Sequence, residues 1–385
     1  MKQVAIIKCE SYDYLAVKKA VEKGINLIGG MEKFVNQGEN ILLKPNLLSA
    51  ASPEKGVTTH PAVFRAVAEL CLAAGAQVSY GDSPPAGNAL GAAKKSGLAA
   101  IADELGLELS DFKTGREILF EDGRQNKKFV IAQGVLDSDG IVSLPKLKTH
   151  GLVRYTGCVK NQFGCIPGVL KAEFHVRLPN ALNFARMLVD LNDLISPRLY
   201  IMDAIAAMEG NGPRNGNLRQ MNALLFSEDP IALDATACRL INLKPEIVPT
   251  IRFGMEFGSG TYLEEEIELV GDSFHDLKND SFDVDRSPVR PYQAGGFSRF
   301  LNNRLVPKPV LDGNACARCG ICVSMCPANP KAVNWDHGDE SKPPVYDYGR
   351  CIRCYCCQEV CPEGVISLRV PPLRKTLVWL RLMPN

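Results

Sequence analysis

At 385 residues, with 46% hydrophobic side chains, the chain has enough material for one large domain or two to three ordinary ones, each with a real core. Its 44 Lys and Arg balance 43 Asp and Glu, which excludes the basic surplus of a nucleic-acid binder and gives no charge signal for an anionic membrane. No run reaches the roughly 20 apolar residues of a membrane span, and Met1-Lys2-Gln3 leads into VAIIKC and not a signal peptide, so a cytoplasmic protein is expected.

VAIIKC (4–9) reads as a strand and is followed by Val17, Val21, Ile25 and Ile28 on one helical face. ILLKPN (41–46) is followed in the same way by Val63, Val67, Leu70 and Ala74. Thr59, just before His60-Pro61, is the predicted N-cap of that helix, and Asp229-Pro230 starts the helix IALDATACRLI. Further strands are expected at QVSYGD (77–82), KFVIA (128–132), GIVSLP (140–145), RLYIMDA (198–204) and ALLFS (223–227). Strands alternating with helices predict an α/β domain over residues 1–277, a mostly parallel sheet with helical crossovers.

Polar residues gather where those strands end, which is where open α/β sheets place their sites. Lys44, Lys146, Lys148 and Lys160, with Asn46 and Asn161, form a candidate anion site for a carboxylate or phosphate group. His60, His150 and His175 are candidates for proton transfer, with Asp82, Asp203 and Glu209 as their partners or as metal ligands. Cys158 and Cys165 flank KNQFG between His150 and His175, a set able to bind a metal but matching no structural zinc spacing, so buried packing is the favoured reading. The GxGxxG, GxxxxGK[ST] and GxSxG motifs are missing, which removes the usual support for nicotinamide, ATP and serine-hydrolase chemistry.

Residues 278–312, rich in Pro, Gly, Asn and Asp, read as a connector. Nine of the 14 cysteines then fall between Cys316 and Cys361, in a module (313–370) too small for a core of its own and so expected to fold around metal. Cys316-x2-Cys319-x2-Cys322-x3-Cys326-Pro327 and Cys351-x2-Cys354-x2-Cys357-x3-Cys361-Pro362 repeat the bacterial ferredoxin spacing, with the fourth Cys of each run crossing to the other cluster. Cys316, Cys319, Cys322 and Cys361 are therefore assigned to one 4Fe-4S cluster, and Cys351, Cys354, Cys357 and Cys326 to a second. Zinc, the alternative, prefers two separated ligand pairs per site. Cys356 is left over and is expected to pack or point outward, His337 falls in an insertion between the motifs, and residues 371–385 form a basic amphipathic tail expected to pack on its own domain.

The segments KPNL, TTHP, GDSP, LPKLKTH, TGCVKNQFG and MEGNGP make most of residues 1–270 resemble the domain of unknown function 362, here joined to a module that resembles two-cluster ferredoxins of α+β type. The first resemblance implies an anaerobic, iron–sulfur-linked setting and brings no assigned reaction; only in the second do ligand roles carry over by position.

The leading expectation is an oxidoreductase in which two 4Fe-4S clusters exchange electrons with a small anionic substrate, or a further small-molecule or metal cofactor, at the α/β edge. The alternative is a non-catalytic electron carrier or metallocofactor-assembly protein that docks a partner through its N-terminal domain. Either way a redox partner protein or a small-molecule electron donor or acceptor is expected, without nucleic acid or a membrane span; the oligomeric state is left open.

Overall fold

The computed structural model describes residues 1–289 and 304–379, so part of the expected connector (290–303) and the last six residues of the tail lie outside the described residues. Among the described residues twelve strands precede the cysteine module: β1 (Lys2–Lys8), β2 (Asn40–Pro45), β3 (Gln77–Tyr80), β4 (Glu108–Leu109), β5 (Gly115–Leu119), β6 (Lys128–Ala132), β7 (Gly140–Leu144), β8 (Lys146–His150), β9 (Arg154–Thr156), β10 (Leu199–Glu209), β11 (Asn217–Ser227) and β12 (Ile267–Gly271). Ten of them form one sheet in the order β12-β1-β11-β10-β7-β2-β3-β4, with β8 on β10 and β9 on β8. Most neighbours run parallel, and the antiparallel pairs are β1–β11, β10–β11 and β8–β9. This is the expected mostly parallel α/β sheet.

Strand periodicity sorts the core into two layers. Val4, Ile6 and Leu42 point to one face, where the helices Ala181–Ile195 and Pro230–Leu240 cover them. Ala5, Ile7, Ile41 and Leu43 point to the other, beneath the helices Tyr14–Leu27 and Pro61–Ala73. The second of these helices is capped by His60, whose Nδ1 accepts from the Ala62 amide at 3.1 Å. Thr59, the expected cap, is engaged elsewhere: its hydroxyl donates to the Leu144 carbonyl and accepts from the Asn46 amide. Asp229 caps its helix as expected.

Four strands differ from expectation. KFVIA (β6) pairs with β5 in a separate hairpin and leaves the main sheet. The segment after Pro145, expected as a strand-end loop, is a strand: proline lacks an amide hydrogen, and β8 leaves β2 behind to pair with β10, Asp203 opposite Lys146, and with β9. RLYIMDA and ALLFS extend into an 11-residue antiparallel pair, β10 and β11, whose turn spans residues 210–216.

The cysteine module is a small α+β unit. β13 (Lys308–Leu311) pairs with β16 (Ile366–Arg369), β14 (Val333–Asn334) with β15 (Val345–Tyr346), and single-turn helices occupy Ile321–Ser324 and Cys356–Val360. The β10–β11 turn holds it. The Gln358 side-chain amide donates to the Asn211 and Gly212 carbonyls at 3.0 and 3.1 Å, Asn215 donates to the Gln358 and Cys361 carbonyls, and Arg214 donates to the Val360 carbonyl. The helix Pro372–Trp379 follows, and its buried Arg374 lies 3.8 Å from Asp285 and donates to the Ser287 hydroxyl, which Arg154 also contacts.

Candidate functional site

β2 delivers Lys44 to the carboxyl end of the sheet on the same face as Leu42, and the chain after β3 brings Asp82 beside it; their charges meet at 3.0 Å, fully buried. Asp82 also accepts from the Leu47 and Ser83 amides. Burial works against its ionisation, but the ammoniums of Lys44 and Lys171 outweigh burial and hold its carboxyl below the ordinary range. Asn161 ties this pair to the neighbouring strands, accepting from Lys44 Nζ at 3.2 Å and donating to the Ser143 hydroxyl at 3.0 Å. Asn46 then accepts from Lys148 Nζ at 2.7 Å. A Cβ on Gly164 would sit 1.8 Å from Asp82 Oδ1 and 2.5 Å from Lys44 Nζ, so only glycine lets the KNQFG segment close over the pair.

A second network adjoins the first. Lys146 Nζ meets Asp203 Oδ2 at 2.8 Å, Tyr12 donates its hydroxyl to Asp203 Oδ1 at 2.8 Å, and the His60 ring stacks on Tyr12 with centroids 3.7 Å apart. Burial, with the Lys146 charge adding to it, pushes His60 down to about 4, so it is neutral near pH 7. Burial, then Lys146 and Lys160, push the Lys148 ammonium well below its usual value.

The two parts of the chain share a cavity of about 70 Å³. Asn46, Asp82, Lys160, Lys171 and His175 line one side, and Met325, Cys356, Glu359 and Val360 of the cysteine module line the other. Lys171, which donates to the Ser83 carbonyl, is pushed by burial to about 7. His175, stacked on Phe184, is pushed by burial to about 4. Burial disfavours charge on Glu359, yet His150 and Lys160 outweigh it and hold the carboxyl at about 2.

The candidate residues Lys44, Asn46, Asp82, Lys148, Lys160, Asn161 and His175 thus come together at or behind one cavity, with Lys146, His60 and Asp203 in the adjacent network and His150 reaching across to Glu359. Glu209 stands apart, paired with Arg219 at 2.7 Å and accepting from the Asp283 amide. Cys158 packs with its amide on Asp234, and Cys165 lies 3.8 Å from Gln162 Oε1; burial pushes the first thiol far up and the second to about 12. Among the described residues no three His, Cys, Asp or Glu side chains are placed to hold a single metal ion. Lys171, Tyr12 and Glu359 are site residues outside the candidate set, although Lys171 and His175 are spaced to share a helical face, and Cys356, expected to pack or point outward, lines the cavity.

The cysteine runs fit cubane clusters. Burial, and the sulfurs of Cys361, Cys319 and Cys316 beside it, push the Cys322 thiol up to about 11. Both runs turn the backbone through left-handed residues at equivalent places, Arg318 and Gly320 in the first and Arg353 and Tyr355 in the second. Alternation of right- and left-handed residues curls amide hydrogens around an anionic centre. The Tyr346 hydroxyl donates to Cys357 Sγ at 3.3 Å.

The family model for the domain of unknown function DUF362 matches residues 41–239, just over half of the chain. The chain belongs to the DUF362 family. In this DUF362 protein a second model, the 4Fe-4S dicluster domain, matches residues 308–362, so the C-terminal module is a ferredoxin-type, iron–sulfur-binding domain. A thylakoid-associated protein of Synechocystis sp. is 36% identical over 252 residues, which cover 65% of this DUF362 chain and 78% of that protein. Among solved structures, the lactate racemase apoprotein from Thermoanaerobacterium thermosaccharolyticum superposes with a TM-score of 0.40 at 15% identity, over 63% of this chain and 57% of the racemase chain. Among the described residues no helix is long and apolar enough to cross a membrane.

Proposed function

We propose that this DUF362 protein is an iron–sulfur oxidoreductase whose substrate is a small anion held between the lysines of the sheet edge and the helix Cys356–Val360. The shared cavity carries this reading, because Lys160 and Lys171 line it on one side and Cys356, next in sequence to the cluster ligand Cys357, lines it on the other. When bound, two 4Fe-4S clusters supply one-electron transfers, through Cys316, Cys319, Cys322 and Cys361 and through Cys351, Cys354, Cys357 and Cys326.

The chain's own residues do the rest. Lys160 binds the anion and Asn46 and Asn161 orient it. Lys171, poised to hold or release a proton at Nζ near neutral pH, serves as the proton donor, while His60 and His175 are neutral there and serve in packing and orientation. Phe163, Met325 and Val360 exclude water. Cys319 is exposed and Cys357 buried, so a redox partner protein reaches the first cysteine set and the substrate lies beside the second. A reducing compartment such as the cytoplasm suits this chemistry.

The test begins with an oxygen-free preparation. It should contain about eight iron and eight sulfide per chain, and mass spectrometry should find a co-purifying small anion. Added to the pre-reduced protein, that anion should reoxidise the clusters, with Lys171→Met at least about a hundredfold slower, as for loss of general acid catalysis. Clusters that stay reduced contradict the oxidoreductase reading and favour a carrier that serves a docked protein.

A further inference from the structure

The charges around the cavity do not cancel. Lys44, Lys148, Lys160 and Lys171 stand at or just behind its wall against the two carboxylates of Asp82 and Glu359, while the neighbouring Lys146 and Asp203 neutralise each other. Three of the four ammoniums have oxygen partners: Lys44 the Asp82 carboxylate, Lys148 the Asn46 amide and the Val57 carbonyl, Lys171 the Ser83 carbonyl. Lys160 is different. Among the described residues its Nζ has no hydrogen bond and no ion pair, only the Phe163 ring at 5.2 Å. The Ser83 hydroxyl, lining the same cavity, is likewise without a hydrogen-bond partner among the described residues. Both donors therefore have hydrogen-bonding capacity to offer an acceptor that enters the cavity.

Size narrows that acceptor. Counted as space open to the centres of water-sized spheres, a cavity of about 70 Å³ holds a few waters at about 10–15 Å³ each, which suits an oxyanion better than a whole nucleotide. Resting on the reading of the cavity as the substrate site, and deepening it, we infer that the site takes one small dianionic oxyanion, held by Lys160 Nζ and the Ser83 hydroxyl over the Lys44–Asp82 pair. With Lys171 charged, the lysines outnumber the carboxylates, and that positive excess favours a dianion over a monoanion.

Anaerobic calorimetry on the full, cluster-loaded chain tests this without any redox step, so its outcome is separate from that of the oxidoreductase reading. Sulfate is the probe, perchlorate the monoanion of the same shape, and a nucleoside monophosphate a dianionic head on a larger body. Sulfate should bind at one site per chain, at least about tenfold more tightly than perchlorate or the nucleotide. Lys160→Gln should weaken it at least about tenfold, the effect of one buried charge-assisted hydrogen bond, with the cluster absorption unchanged. Should Lys160→Gln fail to load clusters, Ser83→Ala should still weaken sulfate several-fold and Lys160→Arg should retain it. Perchlorate binding as tightly as sulfate, or the nucleotide as tightly as sulfate, overturns the inference. So does Lys160→Gln with unchanged sulfate affinity, which would assign Lys160 to balancing cluster charge.

Discussion

His150 Nε2 lies 3.0 Å from Glu359 Oε1, off the line of a good hydrogen bond, at the junction where the last residue of β8 meets the helix Cys356–Val360. The His150 Nδ1 accepts from the Leu152 amide at 3.0 Å, which fixes the ring and leaves the Nε2 hydrogen facing the carboxylate. Substitution of His150 by Ala strands a buried carboxylate and should cost about 3 kcal/mol, as for breaking a buried charged contact. Denaturant unfolding of the cluster-loaded protein reads this; a midpoint unchanged from the parent would show that the junction is held without it.

The turn at residues 211–215 makes a second hold on the same helix. Gln358 is fully buried and its amide satisfies the Asn211 and Gly212 carbonyls. Gln358→Leu leaves those carbonyls unmet, at about 1–3 kcal/mol. Hydrogen exchange in the helix Cys356–Val360 should rise while the exchange of β2 stays as in the parent; equal protection in both proteins would contradict the clamp.

Gly164→Ala drives a methyl group onto Asp82 Oδ1 and Lys44 Nζ. Separating that buried pair should cost about 3–5 kcal/mol and abolish sulfate binding. Thermal unfolding and calorimetry on the same sample check both halves; retention of sulfate affinity would place the anion away from Lys44 and Asp82.

Much of this arrangement was legible in the sequence, and the exceptions have physical causes. Cluster ligation is local, so the spacing from Cys316 to Cys361 carries its own geometry. Lys44, Lys148 and Asn161 stand out because they follow apolar strands, where loops of a parallel sheet converge. Lys171 does not, because a lysine within the helix Lys171–Arg177 reads as an ordinary solvated position. Glu359 is hidden between Cys357 and Cys361, and only the tertiary fold turns it toward His150. Glu209 reads as a partner for the candidate histidines, whereas the turn that follows it grips the ferredoxin-type domain. β8 does not read as a strand because Pro145 and two lysines mimic a loop, while its place in the sheet depends on β10, more than 50 residues away.

The Lys171 ammonium gives the site a pH dependence of definite sign. Burial pushes it to about 7; Asp82 and Cys165 favour the charge, Lys44 and Lys160 oppose it, and the Ser83 carbonyl and the Phe163 ring also face it. Because the folded value lies below the unfolded one near 10.4, the unfolded chain binds the extra proton, and stability of the ligand-free protein rises with pH between about 7 and 10. Sulfate, whose own charge is constant there, wants the ammonium and should bind fully below pH 7 and progressively less above it. Sulfate titrations from pH 6 to 9 check this; a flat profile would remove Lys171 from the anion's surroundings.

The Tyr346 hydroxyl reaches Cys357 Sγ at 3.3 Å. A donor to a ligand sulfur favours the reduced, more negative centre, so Tyr346→Phe should lower one cluster potential by on the order of 40 mV, for a hydrogen bond of about 1 kcal/mol. Potentiometric titration followed by electron paramagnetic resonance resolves it; two unshifted potentials would show that the hydroxyl does not touch a ligating sulfur.

The account's central claim, that an anion in the lysine-lined cavity sits beside one cluster, is tested most directly by the same potentiometric titration with and without saturating sulfate. An added negative charge beside a centre disfavours its reduction, and by linkage a tenfold preference for the oxidised state moves a one-electron potential by about 60 mV. One signal should shift down by an amount of this order, the other should stay, and Lys160→Gln should remove the shift. Two potentials that stay put while sulfate is bound would contradict the coupling of cavity and cluster.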